Sequence, residues 1–272
     1  MDINYVFIID LDGTIIGDCI YQSELFKIYL ILKKLGINIK INEILEPCYK
    51  EKSRLIRPYF VEFMRQMKNH FSLVSFYIYT ASEKSWAEKE IGIIEKNLNI
   101  KFNRPIFTRN DCIRIEDKIN NRIDYKKSIE MIRKKIKVKN PEILIIDDKD
   151  VYIDNNERII KCSLYNYKYF CNYWDNMPDL CRIKNKIFLN YLQTLIDNNR
   201  LNPINNIMTM KTKANYYKWL ANKCENINRG NKKYRKDRFW EILTRTIIDN
   251  RIIRFNDISV KFINFQFVDI HN

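Results

Sequence analysis

YVFIIDLDGT, residues 5–14, is the stretch whose reading decides the fold of this chain. Its first five residues, Tyr5 to Ile9, form a continuous apolar run with the length and β-branched content of a strand buried on both faces. The run delivers Asp10 and Asp12 at its carboxyl end, the edge where open α/β sheets place ligands. Two carboxylates one residue apart point the same way on an extended backbone, with Leu11 turned into the protein between them. Gly13 lets the chain leave the strand, and Thr14 has a hydroxyl for the turn. A bare Asp-x-Asp reads as a strand running into a polar turn. Asp-x-Asp-Gly-Thr directly behind five apolar residues reads instead as a carboxylate nucleophile with a carboxylic acid beside it.

The rest of the chain bounds what surrounds that site. Its 272 residues are enough for one α/β domain and an appendage, and 46% hydrophobic content with 13% aromatics supplies a core. Seven cysteines without a CxxC pair, and only His70 and His271, argue against a zinc site, a disulfide scaffold and histidine-based catalysis together. The expected setting is reducing and intracellular, cytoplasmic or nuclear rather than secreted. No apolar run approaches the roughly 18 residues of a membrane span, and no signal peptide is readable. The formal charge of +15 favours an acidic or phosphorylated partner, or only a basic solubilising surface. Abundant Lys, Asn and Ile with few Gly and Pro is also the bias of an AT-rich genome, so the charge is discounted accordingly.

Along the chain, Gln22 to Leu35 has helical spacing, with apolar Leu25, Ile28, Tyr29, Leu32 and Leu35 and a C-capping Gly36. Pro58 opens a second helical pattern over Tyr59 to Lys68. Phe71 to Tyr79 reads as a second buried strand ending in Thr80-Ala81-Ser82, and a helix over Lys84 to Asn97 follows. A strand, a hydroxyl and then a helix N-terminus offers donors to an anion, which makes Thr80 a candidate phosphate ligand; the plain alternative is that Ser82 is an ordinary N-cap. Asp124 to Lys135 is expected as one helix carrying Lys126 and Lys127. Ile143 to Ile146 is another buried strand, and it ends in Asp147-Asp148. With Asp10 and Asp12 at a neighbouring strand end, these carboxylates make an all-oxygen site for a hard divalent ion, most naturally Mg²⁺.

Residues 182–272 carry 18 lysines and arginines against 7 acidic residues, a net +11. Helices are expected at Ile187 to Ile196, Ala214 to Cys224 and Phe239 to Ile248, with an extended apolar end at Val260 to Ile270. The most basic run, Gly230 to Arg238, reads as a solvated loop or as a patch that tracks phosphates. The expected division is an α/β domain over residues 1–178 that holds the carboxylates of Asp10, Asp12, Asp147 and Asp148, and a basic, mostly helical extension over residues 179–272 packed on it.

Four elements thus fall in one order: Asp10 to Thr14, Tyr79 to Ser82, a lysine near 127, and Ile145 to Asp148. That order resembles the haloacid dehalogenase superfamily. Further segments narrow the resemblance to the FCP/SCP-type (NLI-interacting-factor-like) phosphatases that act on the C-terminal domain of RNA polymerase II. They are Arg57-Pro58, Thr108-Arg109-Asn110-Asp111, Tyr125-Lys126-Lys127, and the run from Asp147-Asp148-Lys149-Asp150-Val151-Tyr152 through Tyr167-Lys168-Tyr169-Phe170. Gly13 stands where that family commonly has glutamate, and Tyr59 where it has glycine. The resemblance covers residues 5–172. It implies a Rossmann-like three-layer α/β sandwich with a central parallel sheet, the haloacid dehalogenase fold. Asp10 would be the nucleophile that becomes an aspartyl phosphate, and Asp12 the general acid and base. Thr80, Ala81 and Lys127, with Lys126 the open alternative, would hold the phosphoryl oxygens. Asp10, Asp12, Asp147 and Asp148 would hold Mg²⁺. The implied substrate is phosphoserine or phosphothreonine of a protein, an RNA polymerase tail or another phosphorylated polypeptide, with nucleic acid contact through the basic C-terminal region and no membrane. Two rivals remain: a polynucleotide 3′-phosphatase, disfavoured by Ala81 where that group has asparagine, and a non-enzymatic assembly protein retaining the fold.

Overall fold

The computed structural model describes residues 3–19, 22, 33, 46–50, 53–117, 122–154, 158–169 and 229–258. The regular elements among them are strand β1 (Asn4–Ile9), helix α1 (Phe60–His70), β2 (Val74–Ile78), α2 (Lys84–Leu98), β3 (Ile113–Asp117), β4 (Arg122–Lys126), α3 (Ile129–Lys135), β5 (Pro141–Asp147), β6 (Arg158–Lys161) and α4 (Phe239–Asp249). The chain forms two compact units, one of residues 1–18, 49–167 and 233–272, the other of residues 19–48 and 168–232. In the second, the Asn231 side-chain amide bonds both backbone groups of Lys168, donating from Nδ2 at 2.8 Å and accepting at Oδ1 at 2.9 Å.

The first unit is built on a parallel sheet in the order β2-β1-β5-β6. β1 is central, in register Phe7↔Phe76 on one side and Phe7↔Leu144 on the other. Its apolar run has no polar face because both faces are covered, the condition under which parallel strands read as continuous hydrophobic stretches. Val6 and Ile8 pack with Tyr77, Ile143, Ile145, Ile129 and Ile132 on the face that α3 covers. Phe7 points the other way, to Phe63, Phe76 and Phe255 at ring-centre distances of 5.3, 5.2 and 5.2 Å. Helix α1 buries Phe60, Phe63, Met64 and Met67, the i, i+3, i+4, i+7 spacing of one helix face. That face meets α4 through Trp240, which lies 5.0 Å from Phe60 and 4.7 Å from Phe63. Helices on both faces of a parallel sheet make the expected three-layer α/β architecture.

The sheet explains the position of the site. From β1 the chain adds β2 on one side and later β5 on the other, so the connections reverse direction at β1. The crevice beyond the carboxyl ends of strands at such a reversal is where this architecture binds ligands. Asp10, Thr80 and Asp147 all fall there.

One expected element is corrected. Asp124 to Lys135 is not a single helix: Asp124, Tyr125 and Lys126 lie in β4, antiparallel to β3 with Ile115 opposite Asp124, and helix α3 begins at Ile129. The Ile123/Asp124/Tyr125/Lys126 alternation has strand period, but it is too short to stand out beside the helical residues that follow. The β3–β4 hairpin and β6 have no counterpart among the elements expected from the sequence. The helix expected over Gln22 to Leu35, apart from helical Gln22 and Lys33, lies outside the described residues, as do those over Ile187 to Ile196 and Ala214 to Cys224 and the extended Val260 to Ile270. The helix at Phe239 is present as α4. Among the described residues no helix is long and apolar enough to cross a membrane.

Candidate active site

β1 hands the chain to the site through Asp10, whose N–H donates to the carbonyl of Ile146 at 2.9 Å and so ties the two strand ends together. The turn that follows closes on Leu11, whose carbonyl accepts from the N–H groups of Ile15 and Ile16 at 3.0 Å each. Gly13 sits in this turn with φ of +86°, and a Cβ there would lie 2.6 Å from Leu164 Cδ1 and 3.0 Å from Asp148 Oδ2. The left-handed backbone favours glycine at this position, and a side chain there would also have to displace the ends of Leu164 and Asp148.

Lys127 stands between the two strand ends. Its ammonium donates to Asp10 Oδ1 at 2.6 Å and to Asp147 Oδ2 at 2.7 Å, and all three side chains are buried. The rings of Tyr79 and Tyr152 lie 5.4 and 5.8 Å from the same nitrogen. The structure selects Lys127 rather than Lys126 through the backbone. Lys127 N–H donates to Val151 O at 2.9 Å and its carbonyl accepts from Ile153 N–H at 3.1 Å, a parallel bridge to the segment after β5. On an extended chain neighbouring side chains leave on opposite sides, so only one of the pair can enter the site.

Charge in this pocket is unbalanced. Burial, opposed by Lys127 and reinforced by Asp147 and Asp12, pushes the Asp10 carboxyl up to about 8. Burial and the neighbouring Asp147 raise Asp148 as well. Burial would lower Lys127, but Asp10, Tyr152 and Asp147 outweigh it and hold the ammonium well above its ordinary value. Oxygens of Asp10, Asp147 and Asp148 all lie within 4.8 Å of one another, and Asp148 Oδ1 is buried with no hydrogen-bond partner among the described residues. Three carboxylates against one ammonium, with an orphaned buried oxygen, fit a hard divalent cation bound through oxygen. The Asp12 carboxylate is not in this cluster.

Asp12 bonds instead to the segment that follows β2. Its Oδ2 accepts from Ser82 Oγ at 2.7 Å and from Thr80 Oγ1 at 3.2 Å, and Thr80 Oγ1 in turn accepts from the N–H of Ser82 at 3.1 Å. Ser82 is thus not the N-cap of α2. Glu83 occupies that position without a side-chain cap bond, and the serine hydroxyl is spent on Asp12. Ala81 lies exposed between them, its carbonyl accepting from Arg109 Nε at 2.8 Å.

Asp154 was not singled out from the sequence, and it locks the lysine. Its carboxylate accepts from Ser128 Oγ at 2.8 Å and from the N–H groups of Ile129 and Glu130 at 2.8 and 3.1 Å, capping α3 immediately after Lys127. Tyr79 adds a second anchor, its hydroxyl accepting from Ser128 N–H at 3.1 Å and donating to Asp111 O at 2.8 Å. The only local trace of Asp154 is its place six residues after Asp148 in the segment that bridges to Lys127.

An α/β sheet that converges paired aspartates, a hydroxyl and a buried lysine on one switch point defines a phosphatase-type fold and site. The chain belongs to the NLI interacting factor-like phosphatase family, whose model matches residues 5–193. Among solved structures it is similar to a fission yeast RNA polymerase II CTD phosphatase, an Fcp1 variant bound to beryllium fluoride. That match has 19% identity and a TM-score of 0.35, covering 71% of this chain and 51% of the other. It is also similar to a structure of Fcp1 described as an essential RNA polymerase II CTD phosphatase, with 17% identity and a TM-score of 0.34, covering 77% and 55%. The chain spans about half the length of these solved chains. No curated protein matches it.

Proposed function

We propose that this chain is a Mg²⁺-dependent phosphomonoester hydrolase that works through an aspartyl phosphate on Asp10, with phosphoserine or phosphothreonine of a protein as substrate. The observation that carries the reading is the different setting of the two neighbouring aspartates. Asp10 is buried against Lys127 and the Asp147–Asp148 pair, whereas Asp12 is held by the hydroxyls of Thr80 and Ser82.

In this mechanism a carboxylate oxygen of Asp10 attacks phosphorus while the bond to the leaving serine or threonine oxygen breaks, and Asp12 gives its proton to that oxygen. Asp12, now ionised, takes a proton from a water that attacks the phosphorus of the acyl phosphate. The P–O bond to Asp10 breaks, inorganic phosphate leaves and both carboxyls return to their starting states. Ser82 aims the Asp12 carboxyl through both steps, and the single Thr80 proton, given to Asp12 without substrate, turns to the phosphoryl group when substrate enters. Lys127, Thr80 and the Ala81 N–H supply donors to the transferring oxygens, where preorganised charge matters most. Asp10, Asp147 and Asp148, with the Asp12 carbonyl, would hold Mg²⁺, which supplies charge neutralisation between nucleophile and phosphate.

We further assign the chemistry to residues 1–178 and the basic extension to residues 179–272, with α4 of that extension built into the phosphatase core. The candidate substrate class is a phosphorylated polypeptide such as an RNA polymerase tail. The free thiols of Cys112 and Cys162 support a cytoplasmic or nuclear setting. The test is Asp10→Asn assayed on a small aryl phosphate and a phosphoserine peptide, with and without Mg²⁺. Turnover should fall by at least about a thousandfold with the fold intact, because every phosphoryl transfer passes through this oxygen. Mg²⁺-stimulated activity persisting in the folded variant would reject the assignment.

A further inference from the structure

The most basic run of the sequence, Gly230 to Arg238, has no part in the chemistry above. Within it Lys232–Lys236 form a 3-10 turn, and Asp237 turns inward, accepting from Arg57 Nε at 2.9 Å and Nη2 at 2.8 Å. That inward anchor leaves Arg235, Lys236 and Arg238 exposed on the outside. They line a groove of about 640 Å³ together with Arg54, Ile56 and Tyr59. Arg54 is fastened across it, its Nη1 donating to the carbonyl of Arg235 at 2.9 Å. Arg54 and Tyr59 both hold left-handed backbone conformations, with φ of 59° and 66°.

The charge in the groove is concentrated and largely uncompensated. The carboxylate of Asp237 is matched by Arg57, and Arg238 is paired with Glu241 at 2.6 Å. Among the described residues Arg54, Arg235 and Lys236 enter no ion pair, so three cations converge on one small space. A phosphodiester backbone spreads single charges at even spacing and is met by an extended basic stripe. A phosphomonoester gathers about −1.5 to −2 in one group at neutral pH, and planar guanidinium forks suit its oxygens. The confined cluster matches the monoester.

The groove is also rigidly tied to the loop that carries the chemistry. Ile56 bridges Ile16, Gly17 N–H donates to Leu55 O at 2.8 Å, and Arg57 N–H donates to Ile15 O at 2.8 Å. The wall holding Arg54 to Tyr59 is therefore hydrogen-bonded to the residues that directly follow Asp10 to Thr14.

From this we propose that the groove is an exosite for a second phosphoserine or phosphothreonine of a multiply phosphorylated polypeptide, distinct from the one hydrolysed at Asp10. The proposal rests on the phosphoprotein reading of the Asp10 site. Binding a second phosphate would select multiply phosphorylated substrates without changing the chemical step.

The test uses the full chain and an Arg235→Gln/Lys236→Gln variant, both of whose side chains are exposed. Four probes are compared: an aryl phosphate, a peptide with one phosphoserine, the same peptide with two, and single-stranded RNA. The variant should raise KM for the doubly phosphorylated peptide on the order of tenfold, the worth of losing charge-assisted contacts to a phosphate, with kcat unchanged. Its kinetics on the aryl phosphate and the singly phosphorylated peptide should match the unaltered chain. Fluorescence anisotropy on both peptides needs no turnover, so it judges the groove even if the chain hydrolyses nothing, an outcome that would sink the chemistry alone. Equal preference for one and two phosphates in the unaltered chain overturns the exosite. So does RNA binding that the variant loses while peptide binding stays the same, which would make the groove a nucleic acid surface.

Discussion

Ser82 decides how Asp12 is presented, and its effect is open to measurement at the level of one oxygen. Removing its hydroxyl deletes the 2.7 Å bond and leaves Asp12 only the longer contact from Thr80. Hydrogen bonds to charged groups contribute roughly 1.5–3 kcal/mol, so Ser82→Ala should lower kcat by about ten- to a hundredfold on a phosphoserine peptide. The loss should shrink on aryl phosphates with acidic leaving groups, which depart without a proton. An equal loss on both would place Ser82 in the fold rather than in proton delivery. Thr80 and Asp12 were each legible in the sequence, in separate roles, but Ser82 looked like a helix cap because the sequence beyond Ser82 is helical and its partner Asp12 is 70 residues away.

At the scale of elements, two carboxylates, the half-buried Asp154 and the buried Asp237, hold helices in place. Burial alone would raise Asp154, but the N–H groups of Ile129 and Glu130 and the Ser128 hydroxyl outweigh it and hold the carboxyl below its ordinary value. A carboxylate with a depressed native pKa contributes stability that is complete above the unfolded-state pKa of about 3.9 and is lost as pH falls through the native value. Asp154→Ala should therefore cost about 1 kcal/mol in urea unfolding at pH 7, a helix-cap loss. The gap from the unaltered chain should narrow in acid; a gap independent of pH down to 3 would rule out the carboxylate as the cap. Asp237 does comparable work for α4 by accepting from the Arg57 guanidinium, whose side chain is 0% exposed and whose faces meet Phe239 and Tyr165. Asp237→Ala strands that cation in the core and should cost on the order of 3–5 kcal/mol, read as a shift in the urea midpoint. A shift worth under about 1 kcal/mol would mean that aromatic packing, not the ion pair, anchors the helix.

At the scale of the molecule, the C-terminal segment is part of the core. Phe239, Trp240, Leu243, Ile247, Phe255 and Ile258 are all fully buried, against α1 and the sheet face beneath it. A chain ending at Leu180 would expose Phe60 and Phe63 as an apolar patch, so it should aggregate and lose aryl phosphatase activity together. Trp240→Ala in the full chain should cost about 3–5 kcal/mol. A soluble, active chain ending at Leu180 would demote α4 to a dispensable cover.

What the sequence by itself determined is the part written in short contiguous runs. Tyr5 to Ile9 and Ile143 to Ile146 are buried strands because an unbroken apolar stretch has no stable place except inside a sheet covered on both faces. The aspartates behind them fall at the ligand edge for the same reason. The helix at Phe239 was readable from its spacing. Tertiary structure alone decided the choices that depend on distant partners. Lys127 enters the site instead of Lys126 because a bridge to Val151 and Ile153 sets the parity of an extended chain. Ser128 caps helix α3 locally, but what holds that cap against the site is Asp154, 25 residues beyond Ile129, which bonds the Ser128 hydroxyl and the N–H groups of Ile129 and Glu130. Arg57 and Asp237, 180 residues apart, are core residues because folding brings their charges together out of water. Hydrophobic period reports which face of an element is buried; it holds no record of which residue, far along the chain, will be waiting there.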